Sequence, residues 1–425
     1  MDDRISVPSA SFLRVLSLFS GCGGMDLGFE GDFDVLSSSV NTAVHPDWRI
    51  TKVSGSLSHL GRNSFRTVFA NDIRKDARTA WTTYFAKKGV PPETYHLDSI
   101  VDLVKKAKNG EKGVFPDDVS IVTGGFPCQD FSVAGKRLGF NSDKSHNGRR
   151  VTEETPTSEN RGHLYMWMKE VVSLVQPKMF VAENVKGLVS LSDVKEIIEN
   201  DFSSISDNGY LVVNAKVLHA ANYGVPQSRE RVIFFGFKKS ALLPKALEEL
   251  SKENISEEYN PYPPPTHSYT VSGKNLLPPV TLRELFDGLE EPDSSDDPSQ
   301  KIYSKAKFMG THCQGQTEID LNSVSPTIRS EHHGNIEFRR LSRANGGKHF
   351  AELDSGLQER RLSVRECAKI QTFPDDYDFI LSKTPEHDSL SSSEAYKIIG
   401  NAVPPLLAYN IARRLEENWG LYFGE

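Results

Sequence analysis

Leu13-Arg14-Val15-Leu16-Ser17-Leu18-Phe19 runs straight into Ser20-Gly21-Cys22-Gly23-Gly24-Met25-Asp26-Leu27-Gly28-Phe29, and this junction limits the fold more than any other part of the chain. The first segment is apolar enough for a buried strand, and the glycines after it allow a tight turn that opens a helix. A buried strand turning at once into a helix points to an open α/β sheet, whose ligands bind at the C-terminal edge of the strands. Gly21, Gly23 and Gly24 would let a nucleotide-like ligand approach the backbone closely. The same turn serves NAD, FAD and S-adenosylmethionine, and a tight turn without ligand has the same pattern. Cys22 reads as a packing residue.

An acidic residue follows where such a fold needs one. Thr67-Val68-Phe69-Ala70-Asn71 is a second strand, and Asp72 at its end can accept both hydroxyls of a ribose, with Ile73 packing on an adenine. Asp72 can instead cap a helix over residues 75–88. A third strand ends near Asp98, which can accept from an adenine amino group or cap a helix over residues 100–107. Residues 37–64 read as an excursion with no evident role.

The apolar residues 119–122 lead into Gly124-Gly125-Phe126-Pro127-Cys128-Gln129-Asp130-Phe131-Ser132, so the same reasoning lifts one thiol to the same sheet edge. A free thiol with a pKa of roughly 8.5 is only a few per cent thiolate at neutral pH, so a nucleophilic role requires help from its surroundings. A buried cysteine acting as a small hydrophobe is the alternative. Proline before Cys128 and polar residues after it favour the exposed turn. Residues 141–160 form a polar loop, and residues 135–161, with their glycines and basic side chains, are expected to act as a lid over a polyanion. Glu183-Asn184-Val185 ends the next strand, where burial would raise the Glu183 pKa and suit it to protonating a ring nitrogen; a surface capping role is the alternative. Arg229 and Arg231 alternate with Glu230 at a strand entrance and so share a face.

At 425 residues, with 37% hydrophobic and 25% charged residues, the chain can bury a large core and form two domains. Met1-Asp2-Asp3-Arg4 lacks the basic start of a secretory signal, and no segment approaches the roughly 20 apolar residues of a membrane span. A cytoplasmic protein is expected. Cys22, Cys128, Cys313 and Cys367 stand far apart, which suggests neither zinc nor disulfides. The net charge of -7 counts against nucleic-acid binding, but the charge is segregated. Residues 245–297 are acid-rich, whereas residues 301–348 carry Lys301, Lys305, Lys307, Arg329, Arg339, Arg340, Arg343 and Lys348. A local basic face suits phosphate contacts.

Pro261-Tyr262-Pro263-Pro264-Pro265 reads as a stiff linker at a domain boundary. Beyond it, residues 279–286 suggest a short helix, residues 293–300 a disordered acidic loop, and residues 301–350 short strands between turns. Thr327 and Arg329, beside the turn holding His332 and His333, suit a base-reading surface. The adjacent histidines point to opposite faces of a strand and no carboxylate pair accompanies them, so no metal site is expected. Residues 360–377 read as a helix capped by Ser363 and stopped by Pro374, and Pro404-Pro405 opens a final helix through Leu415.

Phe-Ser-Gly-Cys-Gly-Gly at 19–24, the acidic residue after strand two, Pro-Cys-Gln at 127–129, Glu-Asn-Val at 183–185, Gln-Ser-Arg-Glu-Arg at 227–231, Arg-Glu-Cys at 365–367 and Gly-Asn-Ala-Val-Pro at 400–404 occur in one order. Together they resemble the bacterial DNA cytosine-5 methyltransferases from Val15 to Ala412. The resemblance implies a Rossmann-like S-adenosylmethionine-dependent sheet over residues 12–245, a smaller, mainly β target-recognition domain over 262–382, and a C-terminal helix over 391–425 returning to the sheet. It implies cofactor contacts from Phe19, Gly21, Gly23, Gly24, Asp72, Ile73, Asp98 and Asn401, and DNA contacts from Gln129, Ser132, Arg229, Thr327 and Arg329. Cys128 would attack C6 of a cytosine flipped from double-stranded DNA, with Glu183 at N3 and Arg231 at O2. A monomer within a restriction-modification system is expected. Ser17 departs from the family, which often has an acidic residue there. A tRNA substrate is the nearer alternative and an NAD-dependent oxidoreductase the more remote one.

Overall fold

The computed structural model describes residues 12–126, 164–190, 194–205, 209–330 and 336–424. Cys128, Gln129, Ser132, the expected lid at 135–161, and His332 and His333 lie outside the described residues. In chain order the strands are β1 (Leu13–Leu18), β2 (Gly31–Leu36), β3 (Ile50–Ser54), β4 (Leu57–Arg62), β5 (Phe65–Asn71), β6 (Tyr95–His96), β7 (Ile121–Gly125), β8 (Met179–Val185), β9 (Tyr210–His219), β10 (Glu230–Lys238), β11 (Phe338–Arg340) and β12 (Arg360–Arg361). The helices are α1 (Gly24–Glu30), α2 (Lys75–Lys87), α3 (Ile100–Lys108), α4 (Leu164–Val175), α5 (Val194–Ser203), α6 (Pro244–Leu250), α7 (Leu282–Leu285), α8 (Pro298–Lys301), α9 (Phe350–Asp354), α10 (Val364–Ile370), α11 (Ser392–Asn401) and α12 (Pro405–Phe423).

Val15, Leu16, Ile121, Val122 and the whole of Met179-Phe180-Val181-Ala182 are fully buried, as expected of strands covered on both faces. They belong to a seven-stranded sheet of order β6-β5-β1-β7-β8-β10-β9. Strands β1, β5, β6, β7 and β8 run parallel, and β10 pairs antiparallel with β8 and β9. The chain moves outward from β1 to β5 and β6, then returns to β7 on the other side of β1. Connections diverge at that reversal and leave a crevice at the C-terminal edge. Val101, Val104, Met168, Val172, Ile198 and Phe202 bring α3, α4 and α5 onto one face. Leu27, Phe29, Trp81, Phe85, Leu407 and Ile411 bring α1, α2 and α12 onto the other. A Cβ on Gly28 would lie 2.4 Å from both Ala408 Cβ and the Pro405 oxygen, so this close helix crossing requires glycine.

Tertiary contacts overturn several local expectations. Residues within 31–62 form a three-stranded antiparallel sheet of order β2-β4-β3 rather than a featureless excursion. The proline-rich segment is no free spacer: Tyr262 is buried, its hydroxyl lies 2.9 Å from the Asn214 and Ile233 carbonyl oxygens, and it accepts the Lys216 N–H. Nor is the acidic loop disordered, because Asp297 caps α8 through the Ser299 N–H and binds Arg365 at 2.6 Å. Three of the four arginines of the expected basic face are turned into the protein, while Arg343 pairs at the surface. Arg339 and Arg340 are buried on Glu352 and Glu291, Arg343 meets Asp354, and Arg329 lies 2.9 Å from Glu337. Among the described residues 301–350, β11 is the one regular strand. Where ladders are missing, the Arg361 guanidinium donates to the Ala306, Lys307, Gly315 and Ile336 carbonyls and holds separate loops together. Helix α10 spans Val364–Ile370 and starts at the expected Ser363, which forms a reciprocal capping box with Glu366. Helix α12 continues past Leu415 to Phe423.

Candidate active site

The C-terminal ends of β1, β5 and β6 lie side by side. Beyond β1, Phe19 and Gly21 have positive φ angles of 53° and 54°, and no atom lies within 4 Å of the position a Gly21 Cβ would take. Gly23 and Gly24 do not share that open space on the Cβ side. A Cβ on Gly23 would meet Trp81 at 2.5 Å, and one on Gly24 would meet the Val403 oxygen at 2.2 Å. Their missing side chains admit other parts of the protein. Cys22 is buried, as a packing residue should be.

Asp72 is not the helix cap, since Arg74 occupies that position at α2. Its carboxyl accepts the Gly21 N–H at 3.1 Å and the Arg74 N–H at 3.0 Å, tying the glycine turn to the end of β5. Burial raises the Asp72 pKa, although these N–H donors and the Arg74 charge oppose the shift. Ile73 beside it is 48% exposed, unusual for an isoleucine and suited to covering a planar ring. Asp98 is exposed, and Ser99 holds the N-cap position of α3 in its place. Asn401 is exposed at the end of α11. Half-buried Phe19, open Gly21, the Asp72 carboxyl and exposed Ile73 fit a nucleoside: an acceptor for hydroxyls, apolar surface for a base, and uncovered backbone.

A second group gathers at β7, β8 and β10. Glu183 pairs across the sheet with Ile233, and the Arg231 Nε lies 2.6 Å from Glu183 Oε1. Burial raises the Glu183 pKa, against the opposing charges of Arg231 and Arg229 and the hydrogen bond from Arg231. A Cβ on Gly125 would come 2.8 Å from Glu183 Oε2, so the carboxylate stands directly over the end of β7. The neighbouring Asn184 donates to the Phe126 carbonyl at 3.3 Å and anchors the chain just before Pro127 and Cys128.

Arg229 is corrected from a DNA contact to an internal one. It is fully buried, and it donates to the Ile328 carbonyl at 3.1 Å, to Gly400 at 3.0 Å and to Ala402 at 2.8 Å. Gln227, not singled out by sequence, is equally buried and bonds Gln371 at 2.8 Å while accepting the Ile328 N–H at 3.0 Å. The motif at 227–231 contains both residues, but nothing local separates Arg229 from Arg231, because the two arginines differ only in what folds onto them. Thr327 donates its hydroxyl to the Ser228 carbonyl, and Arg329 is paired with Glu337.

The family model described as C-5 cytosine-specific DNA methylase matches residues 13–417. The chain is 32% identical over 427 residues to Type II methyltransferase M.BsuRI of Bacillus subtilis, covering 97% of this chain and 81% of that protein. It is 31% identical over 427 residues to Type II methyltransferase M.BspRI of Lysinibacillus sphaericus, covering 98% and 84%. Two solved structures have similar folds with a TM-score of 0.54 each: a mutant of DNMT2 from Spodoptera frugiperda and the Dnmt2 methyltransferase of S. pombe. They are 17% and 16% identical, cover 95% of this chain, and are themselves covered over 99% and 98%. The chain therefore belongs to the C-5 cytosine-specific DNA methylase family, whose methyl donor is S-adenosylmethionine.

Proposed function

We propose that the protein methylates C5 of one cytosine within a specific sequence of double-stranded DNA, as the modification enzyme of a restriction-modification system, and that it works as a cytoplasmic monomer. The Glu183–Arg231 pair carries this reading, because it stands over the end of β7 three residues before Cys128. The Type II names of its relatives support the restriction-modification setting. Residues 12–245 would form the catalytic domain and 262–382 the target-recognition domain, with 391–425 completing the former; the packing of α12 on α1 supports that last assignment.

C5 of cytosine is a poor nucleophile, so addition at C6 divides one hard step into two easier ones. With the base flipped out of the duplex, the Cys128 thiolate forms the S–C6 bond and the ring electrons move towards C5. Glu183, whose pKa burial raises, would give a proton to N3 in its protonated form, and Arg231 would donate to O2. Gly21, Asp72 and Ile73 would hold the nucleoside end of S-adenosylmethionine, with Phe19, Asp98 and Asn401 around it; when bound, that group would supply an electrophilic methyl for C5 and leave as S-adenosylhomocysteine. Water takes the C5 proton, the C5–C6 double bond re-forms as the S–C6 bond breaks and the Cys128 thiolate leaves, and N3 returns its proton to Glu183. Gln129, Ser132, Thr327 and Arg329 are the base-contact candidates left once Arg229 is placed inside the protein.

The test is methyl transfer by the wild type and Cys128→Ser, with duplex DNA and tRNA as substrates and modified bases located by sequencing. Methylated duplex DNA with wild type, none with Cys128→Ser, and unchanged S-adenosylhomocysteine binding by the variant are expected. Methylation confined to tRNA would overturn the substrate, and near-normal turnover by Cys128→Ser would overturn the mechanism.

A further inference from the structure

Asp26 is a buried carboxylate that the proposed chemistry does not use. It lies in the first turn of α1 with 1% of its surface exposed, and burial pushes its pKa up to about 7, against hydrogen bonds from Ser17 and Trp81 and with Glu30 adding to the rise. The Trp81 indole N–H donates to Oδ2 at 2.8 Å, and the Ser17 hydroxyl donates to Oδ1 at 2.5 Å. The Ser20 hydroxyl lies 2.9 Å from Ser17 Oγ and 3.1 Å from the Ser17 carbonyl, and Ser20 Oγ accepts the Asn71 N–H at 3.0 Å. The Asn71 side chain in turn donates to the His96 and Asp98 carbonyls, each at 2.9 Å. One hydrogen-bond chain thus joins α2, α1, β1, the glycine turn, β5 and the end of β6.

Four of the contacts proposed for the nucleoside, Phe19, Gly21, Asp72 and Asp98, adjoin or hold a link of this chain. Phe19, held at φ 53° where side chains other than glycine are strained, sits between Ser17 and Ser20, both pinned. Gly21 follows Ser20, Asp72 follows Asn71, and Asp98 presents its carbonyl to the Asn71 amide. An indole N–H and a backbone N–H can only donate, so the two ends of the chain push hydrogens inward and an acceptor must sit between them. When ionised, the Asp26 carboxylate is that acceptor. Its other titratable neighbours are Glu30 on its own helix, the Cys22 thiol, and the Tyr95 and Tyr377 hydroxyls, and none of these four is basic. When Asp26 is protonated, the chain can reverse: Asp26 donates to Ser17, Ser17 to Ser20, and Ser20 to the Ser17 carbonyl.

We propose that Asp26 is a positioning residue for S-adenosylmethionine, acting through Ser17 and Ser20 to hold the Phe19–Gly21 backbone, and through Asn71 the ends of β5 and β6, in the shape that receives the nucleoside. The proposal rests on the cofactor site described above. An amide at position 26 can run the chain in its reversed direction, whereas a methyl group can do neither.

The experiment measures S-adenosylhomocysteine affinity by calorimetry, together with the cofactor KM and kcat of methyl transfer, for wild type, Asp26→Asn, Asp26→Ala, Ser17→Ala and the double alanine variant. Asp26→Ala should weaken affinity at least tenfold, with kcat at saturating cofactor within threefold of wild type, and Asp26→Asn should restore affinity to within threefold. Ser17→Ala should weaken it at least fivefold, and the double variant should lose less than the product of the two single losses because both break one chain. Unchanged affinity in a folded Asp26→Ala or Ser17→Ala protein overturns the proposal, as does a kcat that falls as far as KM rises. If Asp26→Ala fails to fold, the conservative Ser17→Ala still decides. Failure of the wild type to bind S-adenosylhomocysteine would instead refute the cofactor site itself.

Discussion

Arg229 and Arg231 stand two positions apart, yet one guanidinium reaches Glu183 and the other is enclosed by backbone carbonyls. Charge-assisted hydrogen bonds to a buried cation stabilise by about 1.5 to 3 kcal/mol each, and carbonyls left bare inside a protein cost a similar amount. Arg229→Met should therefore lower unfolding stability by about 3 kcal/mol or more while leaving the methylated DNA sequence unchanged; a shift in site preference with intact stability would return Arg229 to the DNA surface. Glu183→Gln keeps the shape of the pair but cannot give a proton to N3, so kcat should fall by about a hundredfold or more with little change in cofactor affinity. A kcat within a few-fold of wild type would remove Glu183 from proton transfer. Asp72→Ala loses the proposed ribose acceptor and a brace on Gly21, and calorimetry should show S-adenosylhomocysteine binding weaker by about 1 to 3 kcal/mol.

Helix α12 illustrates how an element far along the sequence completes the first one. It lies so close across α1 that Gly28 has no room for a side chain. Gly28→Ala must push the helices apart or strain both, at a cost of typically about 1 to 3 kcal/mol, and a thermal unfolding midpoint equal to that of wild type would contradict the crossing. The start of α10 is legible locally, since Ser363 followed by Glu366 is a capping box in sequence and in structure. Its end is not: the helix stops at Ile370 because Thr372 takes a φ of 64°, while the Gln371 side chain donates to the Ile399 carbonyl. The proline-rich segment misleads for the same kind of reason. Its composition describes a spacer, and only the sheet edge against it shows that Tyr262 fills a buried position.

Over the whole molecule, a net charge of -7 conceals an internal lattice of opposite charges. Arg340 and Arg360 share Glu291, Arg339 and Arg340 share Glu352, and Arg360 also binds Glu366. Burial disfavours the Glu291 charge, but Arg360 and Arg340 outweigh it and hold its pKa down to about 2, from an ordinary 4.5. A carboxyl with a lowered folded-state pKa contributes stability that is present above its unfolded pKa and lost as pH falls through the folded one. Stability should thus decline as pH drops from 4.5 towards 2, and Glu291→Gln, already weaker at neutral pH, should decline less over that window. Equal declines in denaturant titrations of the two proteins would remove Glu291 from the acid response.

The strands and the residues that stand at their ends are written locally. An apolar run followed by glycine or by a carboxylate specifies a buried strand and what it presents, so β1 with Gly21, β5 with Asp72 and β8 with Glu183 are legible in the amino-acid sequence alone. What tertiary structure alone decided was which polar residues face the crevice and which are sealed in. Gln227, Arg229, Asp26 and Asn71 carry no periodic signal, because a buried polar side chain is stable only through partners far away in sequence. For Arg229 those partners are Ile328, Gly400 and Ala402, and for Asp26 one of them is Trp81. Ser17, a departure from its family on sequence, is in the fold a link to that carboxylate. Burial depends on what packs across a residue, and only the folded chain brings those groups together.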